Sequence, residues 1–230
     1  MTAKPRAKKK FGQHFLEPAW ADKVVRAIDP KRDEVFVEIG PGPGVLTRRL
    51  ASRVHAVIAY EIDRDLAEAL ESEALPNVGV IRGDFLDAHI DLDAEPAPRS
   101  PSVLRVAGNL PYNVASPILF KLRAMYHGGV KFGDATVMLQ REVADRLIAR
   151  PGGKEFGVLS VLMQHSAHVE RVLALPPGAF RPPPKVHSAL VRLRFHPPDP
   201  PARDAAIFEG LVQAVFTRRR KRPSTRITAN

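Results

Sequence analysis

A short stretch of the chain combines an amide side chain, a fixed turn and an aromatic ring: Asn109-Leu110-Pro111-Tyr112-Asn113. It follows the apolar run 103–107, which predicts a buried strand, so the amide and the ring fall at the carboxyl end, where open α/β sheets bind ligands. Because Pro111 lacks an N–H and disfavours helical geometry at Leu110, we expect the Leu110 carbonyl to accept a hydrogen bond from a ligand. Together, the Asn109 side chain, the Leu110 carbonyl and the Tyr112 ring are suited to bind a planar ligand group that carries an amino substituent. An Asn-capped turn without function would carry the same pattern.

A glycine-rich turn follows the strand predicted at residues 35–39 and contains Gly40, Gly42 and Gly44. Glycine at a strand-to-helix turn lets the backbone approach a ligand closely. A dinucleotide fingerprint would place glycine where Val45 stands, and Pro41 and Pro43 lack N–H groups that a pyrophosphate needs. We therefore predict a ligand without phosphates, and Glu38 favours one that carries a cation or an amine.

Acidic residues end the next two predicted strands, at 56–60 and 78–81. Glu61 lies about 20 residues after the glycines, where a carboxylate can accept two hydrogen bonds from a ribose diol, and Asp63 is the predicted N-cap of the next helix. Asp84 can accept a bond from an exocyclic amine, and Phe85 can cover a purine face. Polar groups at three successive strand ends predict one shared ligand site.

The elements that position these groups alternate between strands and helices. Five β-α units and a final strand pair predict an α/β fold. The predicted strands are 35–39, 56–60, 78–81, 103–107, 135–140, 169–175 and 189–195. The predicted helices are 18–28, 45–53, 64–74, 116–126, 142–148, 158–164 and 205–216. The proline-rich segment 196–201 reads as a linker, which divides the chain into a main domain at 1–195 and a small appendage at 196–230.

The amino-acid composition limits the classes of partner and of chemistry that this protein can have. The 230 residues hold 35 Lys and Arg against 25 Asp and Glu, and a net charge of +10 favours nucleic acid over membrane, although a merely soluble basic surface would also fit. The absence of cysteine excludes disulfides, thiolate metal sites and cysteine nucleophiles, which suits a reducing compartment, and we expect a cytoplasmic protein. No apolar run approaches the roughly 20 residues of a membrane span. The basic segments 1–10 and 218–222 are predicted to contact phosphates or to be solubilising tails.

Two further segments carry ligand-binding groups. Before the first helix, Gln13 can bond a ligand while Phe11 and Phe15 anchor the N-terminal arm, although such aromatic residues often only pack. The proline-rich loop 176–185 holds Phe180 out on a stiff frame. Its ring would stack on a base or plug the strand pair.

The motif set resembles the ribosomal RNA small-subunit adenine N6-dimethyltransferase family. The matching segments occur in the family's order between residues 8 and 195, and the most specific are GQHFL at 12–16, NLPYN at 109–113 and FRPPPKV at 180–186. A generic methyltransferase would share only the glycine turn. The resemblance implies a Rossmann-like, seven-stranded S-adenosylmethionine-dependent methyltransferase fold that dimethylates adenine N6 near the 3′ end of small-subunit ribosomal RNA.

The resemblance also implies residue roles. The cofactor would be held by Gln13, His14, Leu16, Gly40, Gly42, Glu61, Ile62, Asp84, Phe85 and Asn109. The target base would be held by Asn109, Leu110, Pro111, Tyr112 and Phe180. Transfer would rest on orientation and electrostatics and needs no metal.

One departure from the family concerns the end of the chain. Only about 30 residues follow the linker, whereas the family places a helical domain there, so we expect a shortened, helical C-terminal appendage. The expected partner is ribosomal RNA in an immature small subunit, and the chain is expected to be a monomer without membrane contact. Three alternatives stay open: a large-subunit ribosomal RNA methyltransferase of the antibiotic-resistance type, a non-catalytic ribosome-assembly or transcription factor, and a DNA adenine methyltransferase.

Overall fold

The computed structural model describes residues 7–8, 12–89 and 103–219, and it is built around one seven-stranded sheet. The strands are β1 (Phe15–Leu16), β2 (Val35–Ile39), β3 (Ala56–Glu61), β4 (Val78–Arg82), β5 (Leu104–Asn109), β6 (Phe132–Gln140), β7 (Ala167–Leu175), β8 (Phe180–Arg181) and β9 (Ser188–Phe195). The helices are α1 (Pro18–Ile28), α2 (Thr47–Ala51), α3 (Arg64–Glu71), α4 (Ala115–His127), α5 (Arg141–Ile148), α6 (Val158–Gln164) and α7 (Ala205–Arg219).

The strand order in the sheet is β4-β3-β2-β5-β6-β9-β7. The first five of these strands run parallel, and β9 lies antiparallel between β6 and β7. After β4 the chain crosses to the other side of β2 and adds β5 there, so the strand order reverses beside β2. Ligands of open α/β sheets bind at such a reversal, next to the carboxyl ends of the strands.

Both faces of the sheet are covered. Every residue of β2 is buried, and its alternate side chains join different clusters: Val35, Val37 and Ile39 pack on one face and Phe36 on the other. This follows from the two-residue period of a strand and from helices on both sides. The α/β fold and its seven-stranded sheet, both predicted from the sequence, are confirmed.

Several boundaries differ from the prediction. Strand β6 begins at Phe132, three residues before the predicted start, and α2 spans only Thr47–Ala51 of the predicted 45–53. Strands β1 and β8 were not predicted, and they pair antiparallel, with Phe15 opposite Arg181 and Leu16 opposite Phe180. Two-residue strands contain no periodic pattern, so only their pairing reveals them.

The C-terminal helix α7 packs on the main body. Phe208 lies against the ring of His165 with centroids 4.5 Å apart, and Glu209 accepts a hydrogen bond from Arg123 at 2.5 Å. A neighbouring stripe of α7 exposes three apolar side chains, Ile207, Leu211 and Val215. The helix predicted at 205–216 is present, whereas the division into two domains at residue 195 stays a prediction.

Some predictions fall on other parts of the chain. Most of the basic block 218–222, most of the N-terminal arm, the ring of Phe11 and most of the loop predicted at 87–101 lie outside the described residues. Within the part of the chain that the structure describes, no helix is long and apolar enough to cross a membrane.

Candidate active site

A pocket lies at the carboxyl ends of β2, β3 and β5, where the strand order reverses. Its walls come from five parts of the chain: Gly12, Gln13, His14, Phe15 and Leu16; Glu38, Gly40, Pro41, Gly42, Pro43, Val45 and Leu46; Glu61 and Ile62; Asn109, Leu110, Pro111 and Tyr112; and Met138. The pocket therefore brings together most of the predicted site residues.

The glycine turn forms the floor of this pocket. Gly40, Gly42 and Gly44 have φ of 67°, 57° and 73°, left-handed values that favour glycine. Their three N–H groups all donate within the protein: to Tyr60 O at 2.9 Å, to Glu61 Oε2 at 2.9 Å and to Pro41 O at 3.0 Å. With prolines between them, the turn presents no unpaired N–H to a phosphate, which supports the prediction of a ligand without phosphates at this position.

Glu61 ends β3 and is fixed from two sides. Its Oε2 accepts the Gly42 N–H, and its Oε1 accepts the Asp63 N–H at 2.9 Å. Burial raises the pKa of Glu61, and these backbone donors partly oppose the rise. A carboxylate oxygen can accept more than one hydrogen bond, so both oxygens of Glu61 can also accept from the two hydroxyls of a ribose.

Glu38 lies deeper in the same pocket. Its side chain is buried, its Oε2 has no hydrogen-bond partner among the described residues, and neither does the buried hydroxyl of Thr47 beside it. Burial raises the pKa of Glu38 to about 7, and the charge of Glu61 adds to the rise. A buried, unpartnered carboxyl oxygen next to a second carboxylate would be stabilised by a cationic ligand group.

Asn109, at the end of β5, has a defined orientation. Its Nδ2 donates to the carbonyl oxygen of His14 at 2.6 Å. A carbonyl only accepts, so the amide nitrogen must face His14 and Oδ1 is directed elsewhere as an acceptor. The next residue is anchored as well, since Leu110 N donates to Met138 O at 3.2 Å and the Leu110 side chain is buried.

The ring of Tyr112 forms the outer wall. Its hydroxyl bonds to Ser188 Oγ at 2.9 Å, and its ring stacks on His14 with centroids 5.4 Å apart and planes 26° apart. Burial raises the pKa of Tyr112, and the Ser188 bond opposes the rise. The stacking shows that this face of Tyr112 accepts a flat ring, and His14 is held there by a 2.7 Å bond between its Nδ1 and Pro182 O.

The N-terminal wall is joined to the end of β3 by an ionic network. Gln13 Nε2 donates to Asp63 Oδ2 at 3.1 Å, and Gln13 Oε1 accepts the Lys8 N–H at 2.7 Å. Lys8 Nζ lies 2.6 Å from Asp63 Oδ1 and 2.7 Å from Asp65 Oδ2. Asp63 also caps α3 through the Asp65 N–H, as predicted. Gln13 thus faces the pocket with both polar ends of its side chain engaged.

Three predicted site residues do not line the pocket. Asp84 caps the short 3-10 helix Phe85–Asp87 by accepting the Leu86 N–H, and Phe85 is buried edge-on against Tyr60 at 5.3 Å. Phe180 is 1% exposed and packs in the core cluster with Leu16. The expectation that a proline frame holds the Phe180 ring out is therefore corrected, because the β1–β8 pairing turns it inward. Phe85 is buried as well, and its role in covering a purine face stays a prediction.

Other residues of the site were missed from the sequence. Met138 lines the pocket from β6, Ser188 on β9 bonds to the Tyr112 hydroxyl, and Lys8 bonds to Gln13 and Asp63. Ser188 stands just before the strand predicted at 189–195, but its partner Tyr112 is 76 residues away and no local pattern links the two. The basic arm was expected to contact phosphates, so the pairing of Lys8 with carboxylates was not foreseen.

The seven-stranded sheet with one antiparallel strand, the glycine turn beside β2 and the acid ending β3 define a Rossmann-like methyltransferase. Among proteins of this class, a family model described as "Ribosomal RNA adenine dimethylase" matches residues 4–230. The chain belongs to the ribosomal RNA adenine dimethylase family.

Individual relatives agree with this. The chain is 44% identical over 220 residues to the Ribosomal RNA small subunit methyltransferase A of Verminephrobacter eiseniae, covering 94% of this chain and 76% of that protein. Among solved structures, a dimethyladenosine transferase from Plasmodium falciparum has a TM-score of 0.71 at 27% identity, over 89% of this chain and 71% of that one. The 23S rRNA methyltransferase ErmE has a TM-score of 0.68 at 30% identity, over 88% and 79%.

Proposed function

We propose that this chain transfers methyl groups from S-adenosylmethionine to the N6 amines of adenines in small-subunit ribosomal RNA. The observation that carries the proposal is the orientation of Asn109, whose Nδ2 is held by His14 O so that Oδ1 remains an acceptor beside the pocket. An acceptor at this point suits the N–H groups of an exocyclic amine.

The residues present fit the cofactor. S-adenosylmethionine carries an adenosine, an amino acid portion and a methyl group on a positively charged sulfur, and it has no phosphate. A turn without unpaired glycine N–H groups, the two carboxylate oxygens of Glu61 for a ribose diol and the buried Glu38 for positive charge match that donor and acceptor pattern. Gln13 and Ile62 complete the wall around these groups.

The target nitrogen needs help because its lone pair is delocalised into the purine ring. Asn109 Oδ1 and the Leu110 carbonyl would accept hydrogen bonds from its two N–H groups, which favours a pyramidal nitrogen whose lone pair can attack the methyl group. As the N–C bond formed, the S–C bond of the donor would break with its electron pair left on sulfur, and the nitrogen would release one proton to water. The chain thus contributes orientation and fixed dipoles that are already in place before the reaction. The hydrogen bonds from Asn109 to His14 and from Leu110 to Met138 keep both acceptors where they are needed.

The base must leave its stack to reach this pocket. Tyr112 presents a ring that already stacks on His14, and an adenine that displaces His14 would meet the same surface. Phe180 is buried in the core cluster with Leu16 and would contact the base only after β8 shifts. We therefore assign Tyr112 as the residue that stacks on the base, and we assign Phe180 a structural role in the core.

The choice of RNA is supported by the relatives. Proteins at 42–44% identity carry the name Ribosomal RNA small subunit methyltransferase A, whereas the 23S rRNA methyltransferase ErmE is 30% identical. Immature small subunits are therefore the proposed substrate. Transfer to large-subunit RNA is the second candidate, and the shared fold of ErmE is the observation that favours it.

The proposal is tested with purified full-length chain, a methyl-labelled cofactor and immature small or large ribosomal subunits in parallel. We expect label in small-subunit RNA alone. Label confined to large-subunit RNA would establish the second candidate instead. Absence of transfer to either particle, with intact RNA binding, would identify a non-catalytic assembly factor, and label in DNA would identify a different methyltransferase.

A further inference from the structure

Lys8 holds a pocket wall together although it does not line the pocket. Its Nζ bridges Asp63 Oδ1 at 2.6 Å and Asp65 Oδ2 at 2.7 Å, and its backbone N–H donates to Gln13 Oε1 at 2.7 Å. Gln13 Nε2 in turn donates to Asp63 Oδ2. Lys8, Gln13 and Asp63 therefore form a closed ring of contacts, in which each member touches the other two.

We propose that Lys8 is a positioning residue for the cofactor: its ion pair with Asp63 fixes Gln13 and the end of β3 in the geometry that binds S-adenosylmethionine. This inference rests on the proposed function of the same pocket. It differs from the expected role of the basic N-terminal arm, which was contact with RNA phosphates.

The path from Lys8 to the cofactor site is short. Asp63 has a side chain that is 2% exposed, and its N–H donates to Glu61 Oε1 at 2.9 Å. Burial works to raise the pKa of Asp63, but the hydrogen bonds from Lys8, Gln13 and the Asp65 N–H outweigh it and the pKa is lowered. A buried carboxylate that loses its cation is strongly destabilised and must rearrange. Such a rearrangement moves Gln13 directly and Glu61 through the Asp63 backbone.

The charges argue against an RNA contact at this lysine. Lys8 Nζ has two carboxylate partners, so its positive charge is already compensated. A lysine contributes to RNA affinity when its charge neutralises a phosphate and releases the counterions bound to the RNA. Binding an RNA phosphate would require Lys8 to leave Asp63 buried without its cation, which is costly.

The decisive variant is Lys8→Met, which keeps the length of the side chain and removes its charge. The matched control is Lys31→Met, because Lys31 also pairs with a surface carboxylate, Asp29 Oδ2 at 2.7 Å, but lies away from the pocket. Equilibrium binding of S-adenosylmethionine without RNA is measured by calorimetry, and RNA binding is measured by gel shift. We expect cofactor affinity to fall about 5- to 10-fold in Lys8→Met and to stay within about 2-fold in Lys31→Met.

Kinetics and partner variants separate positioning from a general loss of folding. In Lys8→Met the KM for the cofactor rises by the same factor while kcat at saturating cofactor stays within about 2-fold, and Lys8→Arg restores most of the affinity. Asp65→Asn removes one of the two carboxylates and weakens binding by a smaller factor. Its effect is not additive with that of Lys8→Met, because the two residues share one interaction.

Two results would overturn the proposal. Unchanged cofactor affinity in Lys8→Met together with weaker RNA binding would make Lys8 an RNA contact. Equal losses of cofactor affinity in Lys8→Met and Lys31→Met would show that the effect comes only from the change in net charge. A wild-type chain that does not bind S-adenosylmethionine at all would instead contradict the proposed function, so the two failures are distinguishable.

Discussion

The side-chain amide of Asn109 donates to the carbonyl oxygen of His14 at 2.6 Å, across 95 residues of sequence. This bond joins the end of β5 to the segment that precedes β1. It decides which end of the amide is available in the pocket, because a carbonyl oxygen cannot donate. Two distant segments, each of which could also have been a loop without function, therefore define one hydrogen-bond acceptor.

Removing that acceptor should abolish transfer. We expect Asn109→Ala to lower kcat at saturating cofactor by about 100-fold or more, since a fixed hydrogen-bonding group at the reacting nitrogen is lost. Asn109→Asp should also be poorly active, because a carboxylate cannot donate to His14 O. Initial rates of label transfer to RNA measure both, and an Asn109→Ala chain that keeps more than a tenth of wild-type turnover would refute the assigned role.

The hydroxyl and the ring of Tyr112 should contribute to different properties, the hydroxyl to stability and the ring to RNA methylation. Tyr112→Phe loses only the 2.9 Å bond to Ser188, so we expect a decrease of about 1 kcal/mol in the free energy of unfolding and nearly normal transfer. Ser188→Ala is the matched variant and should behave alike. Tyr112→Ala removes the stacking surface and should reduce kcat/KM for RNA about 10- to 100-fold. Equal loss of activity in the Phe and Ala variants would mean that the hydroxyl, not the ring, is required.

Phe180 should contribute mainly to the stability of the folded protein. Its ring is 1% exposed in the cluster around Leu16, so Phe180→Ala should lower the free energy of unfolding by about 3–5 kcal/mol. Ile207→Ala, on the exposed face of α7, is the control and should change it by no more than about 0.5 kcal/mol. Urea denaturation followed by circular dichroism measures both. A Phe180→Ala chain as stable as wild type would show that the ring is not part of the core.

Glu38 should make stability depend on pH. Its pKa is raised from 4.5 to about 7, so the folded chain keeps a proton that the unfolded chain has already released in this range. Wild-type stability should therefore fall as pH rises from about 4.5 to 7. Glu38→Gln cannot titrate, and its loss of stability between pH 4.5 and 8 should be smaller by about 2 to 3 kcal/mol. Urea denaturation at both pH values tests this; the same pH slope in the two proteins would show that Glu38 is not held protonated.

Much of the fold could be predicted because strand patterns are local. The runs at 35–39 and 56–60 are apolar and β-branched, and both are strands of the central sheet. The glycine turn and Glu61 could also be placed, since the carboxyl ends of neighbouring parallel strands meet at one edge. These residues lie together in the pocket.

The direction of individual rings could not be predicted. Phe85 and Phe180 each stand beside a strand end, where a ring can turn into the pocket or into the core, and spacing does not distinguish the two. Tyr60 draws Phe85 into an edge-on contact, and the pairing of β1 with β8 buries Phe180. Both causes are tertiary contacts between distant segments.

The ion pair of Lys8 with Asp63 belongs to the same class of feature. The two residues are 55 positions apart, and a basic N-terminal segment is equally typical of a phosphate-binding arm. Only the contact of Lys8 with Asp63 in the structure shows that a carboxylate receives the charge.

Mass mapping of ribosomal RNA, after reaction of the purified chain with S-adenosylmethionine and immature small subunits, tests the proposed adenine N6 dimethylation. We expect N6,N6-dimethyladenosine near the 3′ end of the small-subunit RNA, and its absence when Asn109→Ala replaces the wild-type chain. Methylated adenine found only in large-subunit RNA, or a modification at an atom other than N6, would contradict it.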